Sequence, residues 1–305
     1  MRDPERFAPI FVVAPARSHT SVVTAMIGLH PELRGFPELT VFRREKVEGL
    51  ITDPPGWKGV PTRRRLAGLL RTLAQLHDGA QTPDTVAAAF AWLEGRREWG
   101  VADLFDYLLA SAAPRIGVEK SPDNSARADF LARLRRSYPR ARFVHLTRHP
   151  VTTVESMWEA YHDKGLWKIP PELLHQFCLG AWYFHHRRLL RLADELPATA
   201  VLRVRAEDVL ADPAAQLADI ARWIGVSDSP EAIEGMCHPE RSEFAFPGPE
   251  GAEGGNDTKF LASPPLRPPR WPSGTGFPPQ WVLDPWFTVE ALRLASFLGY
   301  GSREA

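Results

Sequence analysis

Residues 9–30 read PIFVVAPARSHTSVVTAMIGLH, and the fold class follows from how this stretch divides. Ile10 to Val13 form a short β-branched apolar run, the pattern of a buried strand. A polar turn follows, Ala14-Pro15-Ala16-Arg17-Ser18-His19-Thr20-Ser21. Beyond it, Val22, Val23, Met26 and Ile27 recur at helical spacing. A strand feeding a polar turn that opens a helix aims several backbone N–H groups, and the positive end of the helix dipole, at one point, which suits an anion. The turn is neither G-x-x-x-x-G-K-[ST] nor G-x-G-x-x-G, so the usual ATP or GTP loop and the dinucleotide fingerprint are both absent.

Working outward, residues 142–146 and 199–204 read as further buried strands and 116–118 as a shorter one. Helical patterns occupy about 63–77, 84–95, 102–112, 125–137, 151–163, 171–194, 214–224 and 288–298. Strands alternating with helices predict an α/β fold, with a central, mainly parallel sheet flanked by helices. Residues 239–285 differ: 11 of these 47 residues are Pro and 6 are Gly, too many for regular structure. The stretch still carries Phe244, Phe246, Phe260, Trp271, Phe277 and Trp281, and disordered linkers usually lack aromatics. The expected organisation is one domain over 1–305, with a helical cap insertion over 40–112 and an irregular Pro-rich lid over 239–285.

Composition narrows the function. The 37 basic and 37 acidic side chains give zero net charge, which argues against nucleic acid or an anionic membrane as partner. Two cysteines, Cys178 and Cys237, are too few for a disulfide framework or a Cys-rich zinc site. Residues 1–6 lack the apolar core of a signal peptide, and no apolar run approaches membrane-spanning length, so a cytoplasmic location is expected. Lysine is rare: six lysines stand against thirty-one arginines.

Four segments share one resemblance. They are FVVAPARSHTSVV followed by GLHPEL; Glu119-Lys120-Ser121-Pro122; the run Phe143 to Pro150 ending Thr147-Arg148-His149-Pro150 with Ser156 eight residues after Arg148; and Arg205-Ala206-Glu207-Asp208-Val209-Leu210. In this order they resemble the motifs of sulfotransferases that use 3′-phosphoadenosine-5′-phosphosulfate (PAPS). The first is similar to that family's 5′-phosphosulfate loop, PRSGTT, with His19 where the family usually has glycine. The second resembles its Glu-Lys-Thr-Pro run, the third its 3′-phosphate motif and the fourth its Arg-Tyr-Glu-Asp-Leu element, with Ala206 in place of the tyrosine. A later run, Gly255-Asn256-Asp257-Thr258-Lys259, resembles a Gly-Asp-x-Lys element of many members.

The resemblance implies a P-loop-like sulfotransferase fold and an enzyme that moves a sulfuryl group from PAPS to a hydroxyl, leaving 3′-phosphoadenosine-5′-phosphate (PAP). The hydroxyl would belong to a small-molecule, lipid or carrier-bound acceptor, as in bacterial secondary metabolism. Arg17 and the backbone of Ser18, His19, Thr20 and Ser21 would hold the 5′-phosphosulfate, Arg148 and Ser156 the 3′-phosphate, and Lys120 would face the bridging oxygen. Asn256 and Lys259 join the donor-binding set. Fixed cations can supply the charge that transfer requires, so no metal is expected. Glu38, 21 residues after Arg17, falls where related protein-tyrosine sulfotransferases carry a catalytic glutamate. A carboxylate in a mostly closed pocket would suit a general base, while Pro37 before it also reads as a helix start. His30, His162 and His238 are alternative bases, and Trp158, Tyr161, Trp167 and Trp182 are core or acceptor-lining aromatics. A small-molecule kinase and a non-catalytic PAP-binding protein are the rival classes, and a homodimer is compatible with the chain.

Overall fold

A computed structural model of the chain describes residues 3–52, 62–162, 169–272, 276–278, 281 and 284–301. Trp167 lies outside the described residues. Strand β1 (Ile10–Val13) is fully buried and alternates its contacts as a pleated strand must. Ile10 and Val12 pack with Val118, Val144, Leu146 and Val204 on one face of the sheet, and Phe11 and Val13 pack with Phe143 on the other. An unbroken apolar run is what a strand covered on both sides needs.

Four more strands complete the sheet: β2 (Leu33–Gly35), β3 (Ile116–Glu119), β4 (Arg142–Thr147) and β5 (Val201–Arg205). Their order is β2-β3-β1-β4-β5 and the pairings are parallel. Ile10 aligns with Val118 on one side and Arg142 on the other, so the ends of β3 and β4 flank the turn that leaves β1. Ligands of open α/β sheets bind beyond the carboxyl ends of such strands. The sequence pattern missed β2, whose three residues are too few to show a period and whose conformation comes from pairing with β3.

Helix α1 (Thr20–Gly28) covers one face of the sheet through Val23, Met26 and Ile27. Residues 40–112 supply α2 (Val47–Ile51), α3 (Thr62–Arg65), α4 (Ala67–Asp78), α5 (Pro83–Glu94) and α6 (Val101–Ala112). Together with α7 (Ala128–Ser137), side chains of this segment pack directly against Phe11, Val13 and Phe143. Helices α8 (Pro150–His162) and α9 (Leu174–Asp194) form a pair after β4. Next come α10 (Ala206–Ala211), α11 (Pro213–Ile224) and α12 (Pro230–Met236), then α13 (Thr258–Ala262) and α14 (Pro285–Phe297).

The Pro-rich segment is anchored by its aromatics, with Phe244, Phe260 and Trp281 all buried. Ala245, Phe260 and Leu261 pack on Val22 and Ala25 of α1, which brings residues 255–259 over the start of that helix. Arg71 of α4, itself fully buried, donates to the carbonyl of Gly254 at 2.6 Å and to Gln81 at 2.7 Å, and lies over the ring of Phe246. Burial lowers its pKa to about 10.

Candidate active site

The turn after β1 adopts a conformation that L-residues enter at a cost. Arg17 and His19 both have positive φ, 67° and 58°. Such residues store on the order of 1–3 kcal/mol of strain each, and alternating signs of φ curl successive N–H groups around one point. His19 holds the left-handed conformation although it is not glycine; histidine is among the residues that tolerate this region best. Ser18 is fully buried and its Oγ has no hydrogen-bond partner. Thr20 is buried in the first turn of α1, where backbone N–H groups lack intrahelical acceptors. Burial, reinforced by Arg148, lowers the pKa of His19 to about 3, so its ring is neutral at ordinary pH.

Three predicted residues meet at this turn. Arg17 Nε donates to Ser156 Oγ of α8 at 3.1 Å, and Arg148 donates from Nη1 to the carbonyl of Arg17 at 2.6 Å. The other arm of Arg17 is ion-paired with Asp257, the N-cap of α13. Arg17, His19, Arg148, Ser156 and Lys259 line a common cleft of about 370 Å³. Three carboxylates also line it, each facing a cation: Asp257 with Arg17, Glu159 with Lys259, and Glu155 with Arg270. Burial lowers the pKa of Arg148 to about 10, which leaves the guanidinium charged at neutral pH.

Arg148 is held in place from behind. Its carbonyl accepts from Trp182 Nε1 at 3.1 Å, and the next N–H, of His149, donates to Glu207 Oε1 at 2.8 Å. The other oxygen of Glu207 accepts from Tyr300 at 3.0 Å. The Arg205–Asp208 run thus supports the third motif structurally, and Trp182 is a core residue with a polar handle on the site.

Lys120, at the end of β3, is completely buried. Its three ammonium donors have three partners: Ser21 Oγ at 2.9 Å, Glu38 Oε1 at 2.7 Å and Asn256 Oδ1 at 3.1 Å. Ser21 Oγ also accepts from the N–H of Asp257 at 2.9 Å. One ammonium therefore joins α1, the segment after β2 and the segment before α13.

No helix begins at Glu38. Residues 36–40 are irregular, and a 3₁₀ turn starts at Val41, because the N–H of Glu38 pairs with the carbonyl of Gly255 at 2.7 Å rather than opening a helical turn. Two glycines make room for it. A Cβ at Gly68 would lie 2.1 Å from the carbonyl oxygen of Glu38, and a Cβ at Gly255 would lie 2.6 Å from the Cα of Gly68. Nor is the pocket closed: the Glu38 side chain is 29% exposed and opens on a second cleft of about 740 Å³. Ala16 lines this second cleft and Arg17 the first, so the turn after β1 is the wall between them. Tyr161 also lines the second cleft, whereas Trp158 stacks between His162 and His175.

Glu119, beside Lys120, is a positioning residue the sequence did not single out. Its buried carboxylate accepts from Ser121 Oγ at 2.5 Å, from Asn124 Nδ2 at 2.8 Å and more weakly from the N–H of Leu39. Ser121 Oγ in turn accepts from the N–H of Thr40 at 2.9 Å, so Glu119 fastens the two residues after Glu38 to the end of β3. Burial outweighs these hydrogen bonds and raises its pKa from 4.5 to about 7. A raised carboxyl stabilises the fold fully below its unfolded pKa and loses that contribution as pH rises through the folded one. Relative to Glu119→Gln, the wild-type chain is therefore expected to lose on the order of 3 kcal/mol of unfolding free energy between about pH 4.5 and pH 7. Urea unfolding of both proteins across that range checks this; a constant difference would show that Glu119 does not titrate there.

Of the alternative histidines, His162 stacks on Trp158 and the other two are hydrogen-bonded elsewhere. His30 bonds the carbonyl of Ser227 and the N–H of Glu32, and His238 bridges Glu234 and Glu240. Among the described residues, no group of three or more His, Cys, Asp or Glu gathers to hold a metal ion.

A family model described as the sulfotransferase family matches residues 9–230. The chain belongs to the sulfotransferase family. This sulfotransferase shares its fold with the sulfotransferase domain of the Synechococcus PCC 7002 olefin synthase, at 21% identity and a TM-score of 0.71 over 97% of this chain and 98% of that one. The sulfotransferase domain from the curacin biosynthetic pathway is similar at 19% identity and a TM-score of 0.72, over 97% and 99% of the two chains. At these identities the likeness concerns the P-loop-like fold. No curated protein matches the chain by sequence. Among the described residues, no helix is long and apolar enough to cross a membrane.

Proposed function

We propose that this sulfotransferase acts in the cytoplasm, with PAPS as donor and a hydroxyl of a small-molecule, lipid or carrier-bound intermediate as acceptor. The observation that carries this reading is the buried Lys120, hydrogen-bonded to Ser21 beside the first cleft and to Glu38 beside the second. The first cleft suits a polyanionic nucleotide: its positive-φ turn and the guanidinium groups of Arg17 and Arg148 offer directed donors to phosphate or sulfate oxygens. The second cleft, with Glu38 at its inner end, suits the acceptor. Two similar solved domains come from an olefin synthase and a biosynthetic pathway, which agrees with a biosynthetic intermediate as acceptor.

When bound, PAPS would supply an activated sulfuryl group whose leaving group is a phosphate. Arg17, aligned by Ser156, binds the phosphosulfate once the Asp257 carboxylate yields to it. Lys120 neutralises the charge that grows on the departing oxygen. Glu38 receives the proton of the acceptor hydroxyl and holds that hydroxyl towards the donor cleft.

Calorimetric titration tests the donor. PAP is expected to form a one-to-one complex at least about tenfold tighter than ATP, a difference of about 1.4 kcal/mol. Tighter binding of ATP would favour the kinase class and overturn the reading.

A further inference from the structure

Helix α9 turns one face to the second cleft: Phe177, Gly180, Ala181, Phe184, His185 and Arg188 all line it, at the spacing of neighbours on a helix surface. The first residues of this face are apolar or small, and Phe177 and Phe184 remain 42% and 52% exposed. The last two, His185 and Arg188, are polar and share an anchor that the transfer chemistry does not require. Ser125, in the 3₁₀ turn Pro122–Ser125, meets His185 Nδ1 through its Oγ at 2.9 Å, and its carbonyl accepts from Arg188 Nη1 at 3.3 Å.

The Ser125 hydroxyl and His185 Nδ1 share a hydrogen bond, and the direction of that bond sets which ring nitrogen carries the proton. The hydroxyl's other acceptors, the carbonyls of Ala14 and Pro122, are farther away, at 3.4 and 3.5 Å. With the hydroxyl donating to Nδ1, its shortest contact, the ring proton sits on Nε2. Burial, with Arg188 beside it, lowers the His185 pKa to about 3 and keeps the ring neutral. The cleft around the pair is cationic, lined by Arg43, Arg64, Arg65 and Arg188 against Glu38 and Asp123. Both carboxylates already face cations, Glu38 with Lys120 and Asp123 with Arg43.

The geometry points to His185 and Arg188 as an acceptor subsite for an anionic oxygen, a carboxylate or phosphate carried by an acceptor whose body is otherwise apolar. This rests on reading the second cleft as the acceptor side. Arg188 offers the donors of its planar fork that Ser125 does not use, His185 offers Nε2–H, and Phe177 and Phe184 offer an apolar bed.

Three probes of equal chain length test it by calorimetry on the full chain, with and without PAP: octanoate, octyl phosphate and octanol. At least one anion is expected to bind about tenfold or more tightly than octanol, and whichever does so identifies the preferred group. Arg188→Gln should reduce that preference to about threefold or less, Arg188→Lys should restore part of it, and Arg64→Gln, at the same cleft, should leave most of it. Where Arg188→Gln does not fold, His185→Asn takes its place, with unchanged PAP affinity as the control. Equal binding of all three probes overturns the proposal, as does a preference that survives substitution of both His185 and Arg188. An anion preference without PAP binding would instead sink the donor reading alone.

Discussion

Lys120→Ala is expected to lower turnover of a labelled sulfuryl donor by about two to three orders of magnitude, the scale for removing one preorganised charge contact. The substitution takes away the cation at the departing oxygen and unpairs Glu38 and Asn256 at once, because all three donors of the ammonium are in use. The loss should appear in kcat more than in affinity for PAP, since the charge that Lys120 meets develops only during transfer. Lys120→Arg keeps the charge and still loses much of the rate, because a planar fork cannot reproduce three divergent bonds in a fully buried site. A fall of less than tenfold in Lys120→Ala, with the protein folded, would remove Lys120 from the chemistry.

Glu38→Gln is the second large effect. The amide is nearly isosteric and its oxygen can still accept from Lys120, so the loop between Gly68 and Gly255 keeps its path. What disappears is the capacity to take a proton, and the expected cost is about 10²–10⁴ in kcat with PAP affinity unchanged. Near-normal turnover would exclude Glu38 as base.

Much of this arrangement was legible in the sequence because its signals are local. The apolar run of β1, the polar turn and the spacing of Val22, Val23, Met26 and Ile27 define strand, loop and helix without reference to distant residues. Arg17, Lys120 and Arg148 could be named because each lies in a short contiguous run that resembles a sulfotransferase motif. Which of the named residues would pair with which was not legible. Lys120 meets Asn256 across 136 positions and Arg17 meets Ser156 across 139, distances over which no periodicity extends. The five-residue α13 lies in a Pro-rich stretch, and its start depends on Asp257 capping Lys259 N–H. His185 was hidden for another reason: a histidine among aromatics at helical spacing reads as core, and only the contact with Ser125 distinguishes it. The expectation of a helix at Glu38 failed because Pro37 is also compatible with an extended segment, and the bond to Gly255 selected that alternative.

The turn between the two clefts is a single thickness of chain, with Ala16 on one side, Arg17 on the other, and the Lys120–Glu38 pair beside it. Occupants on the two sides therefore act on one set of atoms, and their affinities obey linkage. Whatever factor the nucleotide adds to or subtracts from the hold on the acceptor, the acceptor returns to the nucleotide in full. A measurement of either binding step in isolation leaves that shared factor unseen, and the ternary complex is where the specificity of this enzyme is to be weighed.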